Sequence, residues 1–135
     1  MSRGLDARVI EECSRLSFED KITFPEVVKR LAAIGVERYL VDLVCLEKTS
    51  YGRSGQTHRE ALPLASPGTI GATFSEAGVQ QALAAIRRKE TDYPRFLRDI
   101  MAAGVASYAV FIAGKRAMYL GNQGDFYVER FPAGL

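Results

Sequence analysis

The sequence repeats itself at a fixed spacing of 69 residues. Shifted by this spacing, the segment from Phe24 to Pro63 aligns without a gap with that from Tyr93 to Pro132, and ten of the forty positions are identical. About two or three identities would arise by chance at average composition. The identical pairs are Pro25/Pro94, Ala33/Ala102, Gly35/Gly104, Val36/Val105, Tyr39/Tyr108, Val41/Val110, Gly52/Gly121, Gly55/Gly124, Glu60/Glu129 and Pro63/Pro132. We call residues 69 positions apart counterparts, and a tandem duplication is the simplest explanation of them.

Each copy predicts a helix that ends at a glycine. Pro25 and Pro94 suit the first turn of a helix, where a backbone N–H is not needed. Apolar residues then recur at helical spacing, and Gly35 and Gly104 can adopt the left-handed conformation that ends a helix. Another helical pattern precedes each of these two helices, and Ser75 is predicted to be the N-cap of the one in the second copy.

After each glycine the apolar period changes from 3.6 to 2, which predicts strands. Glycine-containing turns divide these stretches into three strands per copy. The predicted strands are Arg38 to Glu47, Lys48 to Tyr51 and Thr57 to Leu62 in the first copy, and Ser107 to Ala113, Arg116 to Leu120 and Phe126 to Phe131 in the second. The repeated unit is therefore two helices followed by three antiparallel strands.

The pattern predicts an α+β fold in which antiparallel sheet packs against helices. We expect one domain, residues 1–135, made of two repeats at about 5–63 and 74–132 that are joined by the connector "LPLASPGTIGATF". A half of roughly 65 residues buries little surface alone, so we expect the halves to share one core about a pseudo-twofold axis. The two half-sheets could join edge to edge or stack face to face.

Composition narrows the class of protein. The net charge is +2 with basic and acidic residues interleaved, so we expect no nucleic-acid partner. No stretch approaches the roughly 18 apolar residues of a membrane span, and "MSRGLDARVIEECSRL" lacks the apolar core of a secretory signal, which predicts a cytoplasmic protein without a membrane partner. Cys13 and Cys45 lie in apolar patterns and are predicted to be buried free thiols.

Several stretches resemble one bacterial family. The runs "GVERYLVDLVCLEKTSYG" and "DYPRFLRDIMAAGVASYAVF" and the ending "FYVERFP" are similar to the YbcV-like proteins, small bacterial proteins with a domain of unknown function that are often labelled phage envelope proteins. The resemblance covers about residues 15–132. It implies no activity, cofactor or catalytic residue for this chain.

Comparison of the counterparts selects candidate functional residues, because polar residues present in only one copy are not needed by the shared fold. The clearest is Asp42, whose counterpart is Phe111. A carboxylate among apolar neighbours could have a raised pKa and act as a general base. It could equally lie on a solvated face or pair with Lys48 or Arg38, and base rates favour such a structural role.

His58 is the single histidine, so a site with several histidine ligands is impossible and we expect no metal. If strand pairing places His58 opposite Asp42, the two form a carboxylate-oriented imidazole suited to proton transfer. Lys48, Tyr51, Arg53 and Glu60 are candidate ligand-binding residues. The carboxylate of Glu60 could instead face water or pair across a ladder. Phosphate-binding glycine motifs are absent, so we expect no cofactor.

Three classes of function follow. The first is a ligand-binding or protein-interaction module that uses the sheet face bearing Leu40, Asp42 and Val44 or an open strand edge. Its expected partners are a second copy in a homodimer, a small molecule or another protein. The second is a small enzyme with Asp42 and His58 as an acid–base pair. The third, which rests on the family label, is a phage-associated structural protein.

Overall fold

The structure, a computed structural model, describes residues 5–65 and 68–132. This part of the chain forms an α+β fold of four α-helices and six β-strands, which confirms the predicted fold class. The helices are α1 (Ala7–Phe18), α2 (Phe24–Ala33), α3 (Glu76–Arg87) and α4 (Tyr93–Ala102), and the strands are β1 (Val36–Asp42), β2 (Glu47–Gly52), β3 (Thr57–Ala61), β4 (Val105–Phe111), β5 (Arg116–Gly121) and β6 (Phe126–Arg130). Ser66 and Pro67 of the predicted connector lie outside the described residues.

Secondary structure recurs at the spacing of the sequence repeat. Each α-helix and β-strand of the second half begins and ends 69 residues after its equivalent in the first half. The N-caps agree as well, because Asp6 and Ser75 cap α1 and α3 while Thr23 and Asp92 cap α2 and α4. The predicted glycine stops are confirmed, since Gly35 and Gly104 have φ of 87° and 95°. A common origin of the two halves remains an interpretation of the sequence.

The six strands form one antiparallel sheet in the order β3-β2-β1-β4-β5-β6. The two half-sheets therefore join edge to edge, through β1 and β4, and do not stack. Tyr39 pairs with Val110, and their counterparts Tyr108 and Val41 also pair. The register is thus symmetrical about the Leu40–Ala109 pair, as a twofold relation between the halves requires.

All four helices pack on one face of the sheet. The core between the two layers contains Tyr39, Val41, Tyr108 and Val110 from the central strands. The helices contribute Ile10, Val27, Leu31, Val79, Leu83, Leu97 and Ile100. No helix in residues 5–65 or 68–132 is long and apolar enough to cross a membrane. The opposite face of the sheet, which we call the open face, is not covered by any described helix or strand.

The first strand is shorter than the sequence predicted. It ends at Asp42 rather than at Glu47, and a turn follows at residues 43–46. Leu46 takes a positive φ of 57°, and the Asp42 carboxylate accepts hydrogen bonds from the amides of Val44 and Cys45, so the chain reverses there. Cys45 is therefore exposed in the turn and the prediction of a buried thiol is wrong for it, whereas Cys13 is buried as predicted.

Candidate functional site

A buried polar chain links α1 to the sheet in the first half. The Lys48 ammonium donates to the Ser14 hydroxyl at 3.1 Å, and the Ser14 hydroxyl donates to the Glu60 carboxylate at 3.0 Å. Lys48 is only 6% exposed, and its ammonium lies 4.4 Å from the centre of the Tyr39 ring. The strand register explains the arrangement, because Lys48 and Glu60 are direct neighbours on β2 and β3 and both point toward the helices.

Burial disfavours the charged forms of the residues in and beside this polar chain. Desolvation lowers the pKa of Lys48, and the nearby Glu60 carboxylate opposes that shift. Desolvation raises the pKa of Glu60, against the opposing effects of Lys48 and Ser14. Burial also raises the pKa of the Cys13 thiol. A serine between a lysine and a carboxylate could resemble a nucleophile with its base, but the Ser14 proton is directed at Glu60 and the Lys48 ammonium donates to Ser14. The geometry is that of a buried ion pair bridged by a hydroxyl.

In the second half, the equivalent glutamate, Glu129, has different hydrogen-bond and ion-pair partners. The Glu129 carboxylate accepts a hydrogen bond from the Tyr119 hydroxyl at 3.2 Å and pairs with the Arg87 guanidinium. The counterparts of Tyr119 and Arg87 are Ser50 and Phe18, and Ala117 stands at the position equivalent to Lys48. Because Ser50 is smaller than its counterpart, and Ala117 smaller than Lys48, each half combines one long and one short side chain at these two positions.

Ser50 is a residue that the sequence patterns did not single out. It is 0% exposed, and its hydroxyl has no hydrogen-bond partner among the described residues. It faces the helices between Tyr39 of β1 and His58 of β3. An unpartnered buried hydroxyl costs about 1–3 kcal/mol. The only sequence signal for it was the exchange of a serine for the tyrosine of its counterpart.

Asp42 and His58 do not form the predicted acid–base pair, because they lie on opposite faces of the sheet. Asp42 pairs with Glu47 and Ser107 and points to the open face. His58 pairs with Ser50 and points to the helix side, where its Nε2 lies 2.9 Å from the Glu11 carboxylate. Although burial raises the pKa of Asp42, the amides of Cys45 and Val44 hold it below its ordinary value. Asp42 therefore acts as a turn cap.

The structure also separates the predicted ligand-binding residues. Lys48 and Glu60 come together in the buried chain, on the helix side. Tyr51 lies on the open face, where the Arg38 guanidinium stacks 3.8 Å above its ring. Arg53 is exposed in a short 3-10 turn that follows β2, with its Nε 3.8 Å from the Glu37 carboxylate. These residues do not surround a common site.

The open face carries three rows of side chains that cross all six strands. Within each row, the strand registers pair every residue with its neighbour on the next strand, in the sheet order from β3 to β6. The acidic row is Ala61, Glu47, Asp42, Ser107, Leu120 and Phe126; the middle row is Arg59, Thr49, Leu40, Ala109, Met118 and Val128; the basic row is Thr57, Tyr51, Arg38, Phe111, Arg116 and Arg130. Four arginines thus share this face with two carboxylates.

Apolar side chains are concentrated on the second half of the open face, beside Ser107, Arg116 and Arg130, so we call this half the apolar half and the other the polar half. We define the apolar patch as Phe111, Met118, Leu120, Phe126 and Val128, all in the second half. Their counterparts are Asp42, Thr49, Tyr51, Thr57 and Arg59. Phe126 is 58% exposed and the other four are half-buried although no described element covers them. Sequence reasoning missed this patch because it looked for polar residues that occur in only one copy, and not for outward apolar ones.

A shallow groove borders the patch where β1 begins and β4 turns into β5. It encloses about 850 Å³ and shares Phe111, Arg116 and Met118 with the open face. Five cationic side chains and one carboxylate, Glu37, line it; the cations are Lys29, Arg38, Arg53, Lys115 and Arg116. We call it the basic groove. A smaller concavity of about 400 Å³ on the polar half is lined by Asp42, Glu47 and Tyr51 among others, but not by His58.

Metal ligands do not cluster in the part of the chain that the structure describes. No three His, Cys, Asp or Glu side chains within residues 5–65 and 68–132 come together in a way that could hold an ion. No family model matches the chain, and no curated protein matches it.

Proposed function

We propose that the protein is an interaction module that binds another protein through the apolar patch of its open face. The observation that carries the proposal is the comparison of counterparts on this face. The same backbone positions hold Thr49, Thr57 and Arg59 in the first half. Since polar side chains satisfy the fold there, the fold does not require Met118, Phe126 and Val128 to be apolar, and a contact surface accounts for them.

Charge favours a different protein over a second copy as the occupant. Each open face carries Arg38, Arg59, Arg116 and Arg130 against Asp42 and Glu47. Two such faces stacked on each other would bring a surplus of positive charge into one interface, and like charges across an interface are costly. A partner with an apolar surface and no cationic surplus avoids this cost. A homodimer through other surfaces stays a prediction.

A site-specific photo-crosslinker tests the proposal. We would place benzoylphenylalanine at Phe126 of the full chain and, as the matched control, at its counterpart Thr57, and irradiate cells that express each variant. We expect one defined heteroprotein adduct from position 126 and none from position 57. Excess unlabelled wild-type protein expressed in the same cells should abolish the adduct, whereas the same excess of unlabelled Met118→Thr/Phe126→Thr protein should leave it, because only the wild type competes for the partner.

Three results would count against the proposal. An adduct twice the mass of the chain would identify a second copy as the occupant. Equal adducts from positions 57 and 126 would show that the apolar half has no special role. No adduct above the non-irradiated sample at position 126 would mean that the patch has no partner in the cell.

A further inference from the structure

The basic groove and the apolar patch form one continuous surface. Phe111, Arg116 and Met118 line the groove and also belong to the open face. A segment bound on the patch therefore extends directly into a region where cationic side chains outnumber carboxylates by five to one. The chain as a whole has a net charge of only +2, so this local surplus is not a reflection of overall composition.

The cations of the groove are not all neutralised within the protein. Arg53 lies 3.8 Å from the Glu37 carboxylate, and Arg38 stacks on Tyr51. The Arg116 Nε donates to the carbonyl oxygen of Gly114 at 3.2 Å. Lys29 and Lys115 make no ion pair or side-chain hydrogen bond with any described residue. Both lysines are exposed, so their charges remain open to an external anion.

We infer that the partner binds through an acidic segment whose apolar side chains rest on the patch and whose carboxylates enter the basic groove. This inference rests on the proposed function and names the chemistry of the partner. A polypeptide fits this surface better than a nucleic acid, because Met118, Leu120 and Val128 have no ring on which bases stack. Phe111 is half-buried, so Phe126 is the one patch residue that exposes most of its ring. Aliphatic or aromatic side chains of a peptide pack on the patch directly.

A pair of labelled peptides tests the inference. One has a leucine-rich half followed by a run of glutamates, and the other has lysines in place of the glutamates. We expect fluorescence anisotropy to detect binding of the glutamate peptide alone. Because the attraction is between exposed charges, binding should weaken by about tenfold or more between about 50 mM and 300 mM salt.

Charge-reversal variants assign the effect to the groove. The double variant Lys29→Glu/Lys115→Glu should weaken binding of the glutamate peptide at least about tenfold. Arg8→Glu/Lys89→Glu makes the same change of net charge outside the groove and should alter binding less than about twofold. Circular dichroism and urea unfolding of each variant show whether it is folded, so that loss of binding is not confused with loss of structure.

The outcomes separate the two proposals. If the patch variant Met118→Thr/Phe126→Thr loses the glutamate peptide but the groove variant keeps it, the interaction module stands and the acidic partner is overturned. If only the groove variant loses it, the groove binds acids but the patch is not the docking surface, and the proposed function fails. No binding of the glutamate peptide at millimolar concentration, or equal binding of the lysine peptide, also overturns the inference. If a single-stranded oligonucleotide bound equally tightly and its binding depended on the groove, the partner would be a nucleic acid and not a peptide.

Discussion

Lys48 shows how a single residue can be strongly held without being reactive. Its ammonium lies 4.4 Å from the centre of the Tyr39 ring and donates to Ser14, which in turn donates to Glu60. Desolvation of the ammonium and of the carboxylate is costly, and their attraction offsets that cost only while both are present. The pair belongs to the first half alone, since Ala117 occupies the counterpart of Lys48.

We predict that Lys48→Met lowers the free energy of unfolding by about 2 kcal/mol, because it leaves the half-buried Glu60 carboxylate without its cation. The double variant Lys48→Met/Glu60→Gln should lose less than the sum of the two single variants. Urea unfolding measures all three. Lys21→Met is the control, because Lys21 and Glu19 form an exposed pair and its loss should cost well under 1 kcal/mol. Strict additivity at Lys48 and Glu60 would refute the coupling.

The lowered pKa of Asp42 predicts how the stability of the protein depends on pH. The folded pKa of Asp42 lies below the ordinary value of 3.8, so its contribution to stability is present above that value and is lost as the pH falls through the folded pKa. We expect Asp42→Ala to cost about 1 kcal/mol at neutral pH, and the gap from wild type to narrow as the pH falls below 3.8. Asp42→Asn keeps an acceptor for the turn amides and should show little of this pH dependence. Urea unfolding over a pH series would contradict the assignment if the gap stayed constant.

At the scale of elements, helix starts are prescribed by short-range chemistry. All four helices have a side chain that accepts hydrogen bonds from first-turn amides, and these caps stand at equivalent positions of the two halves. The Ser75 hydroxyl accepts from the Gly78 amide at 3.0 Å. Such bonds form within three residues, so a sequence pattern predicts them well. The predicted cap at Ser75 is confirmed.

We predict that Ser75→Ala lowers the stability of the protein by about 1 kcal/mol, because the Gly78 amide loses its acceptor. For a domain of this size, the thermal midpoint should fall by about 3–6 °C. Ser75→Asp keeps an acceptor and adds a favourable charge at the helix N-terminus, so its midpoint should stay near that of wild type. Equal losses in the two variants, measured by circular dichroism on heating, would show that the cap does not stabilise α3.

At the scale of the whole molecule, the two faces of the sheet differ in how strongly the fold constrains their side chains. The helix-facing side must be filled in both halves, and its differences compensate each other, as Lys48 with Ser50 and Ala117 with Tyr119 illustrate. The open face has no such constraint. Its two halves differ in polarity at the five patch positions, and that freedom is why we propose recognition there.

Exchanging side chains between counterpart positions of the open face tests whether the fold requires the apolar patch. Met118→Thr/Phe126→Thr gives the second half the side chains of the first, and Thr49→Met/Thr57→Phe makes the reverse change. Because equivalent backbone positions already hold these side chains, we expect each double variant to stay within about 1 kcal/mol of wild type in urea unfolding. Binding of a hydrophobic dye should fall in the first variant and rise in the second. A loss above about 3 kcal/mol in the first would mean that the patch stabilises the fold.

The sequence by itself determined the features that depend on neighbouring residues. The Pro-led helices, the glycine stops and the α+β class follow from periodicity, capping and turn chemistry, which act over a few positions. The 69-residue spacing is read from the alignment of the sequence with itself. Lys48 and Glu60 could be singled out as candidates, but their partnership with Ser14 could not, because it joins residues 34 and 46 positions apart.

Only the tertiary structure decided which side chains share a face. The sequence placed the end of β1 five residues too late, and a strand end determines which residues are paired and which lie in a turn. The register places His58 in line with Ser50 and Tyr39, and Asp42 in line with Glu47, so Asp42 and His58 lie on opposite faces while Lys48 and Glu60 meet. The edge-to-edge joining of β1 and β4 was likewise undetermined, because both arrangements bury the same apolar stripes. That joining leaves one face of the sheet open, and the open face is where we expect the protein to act.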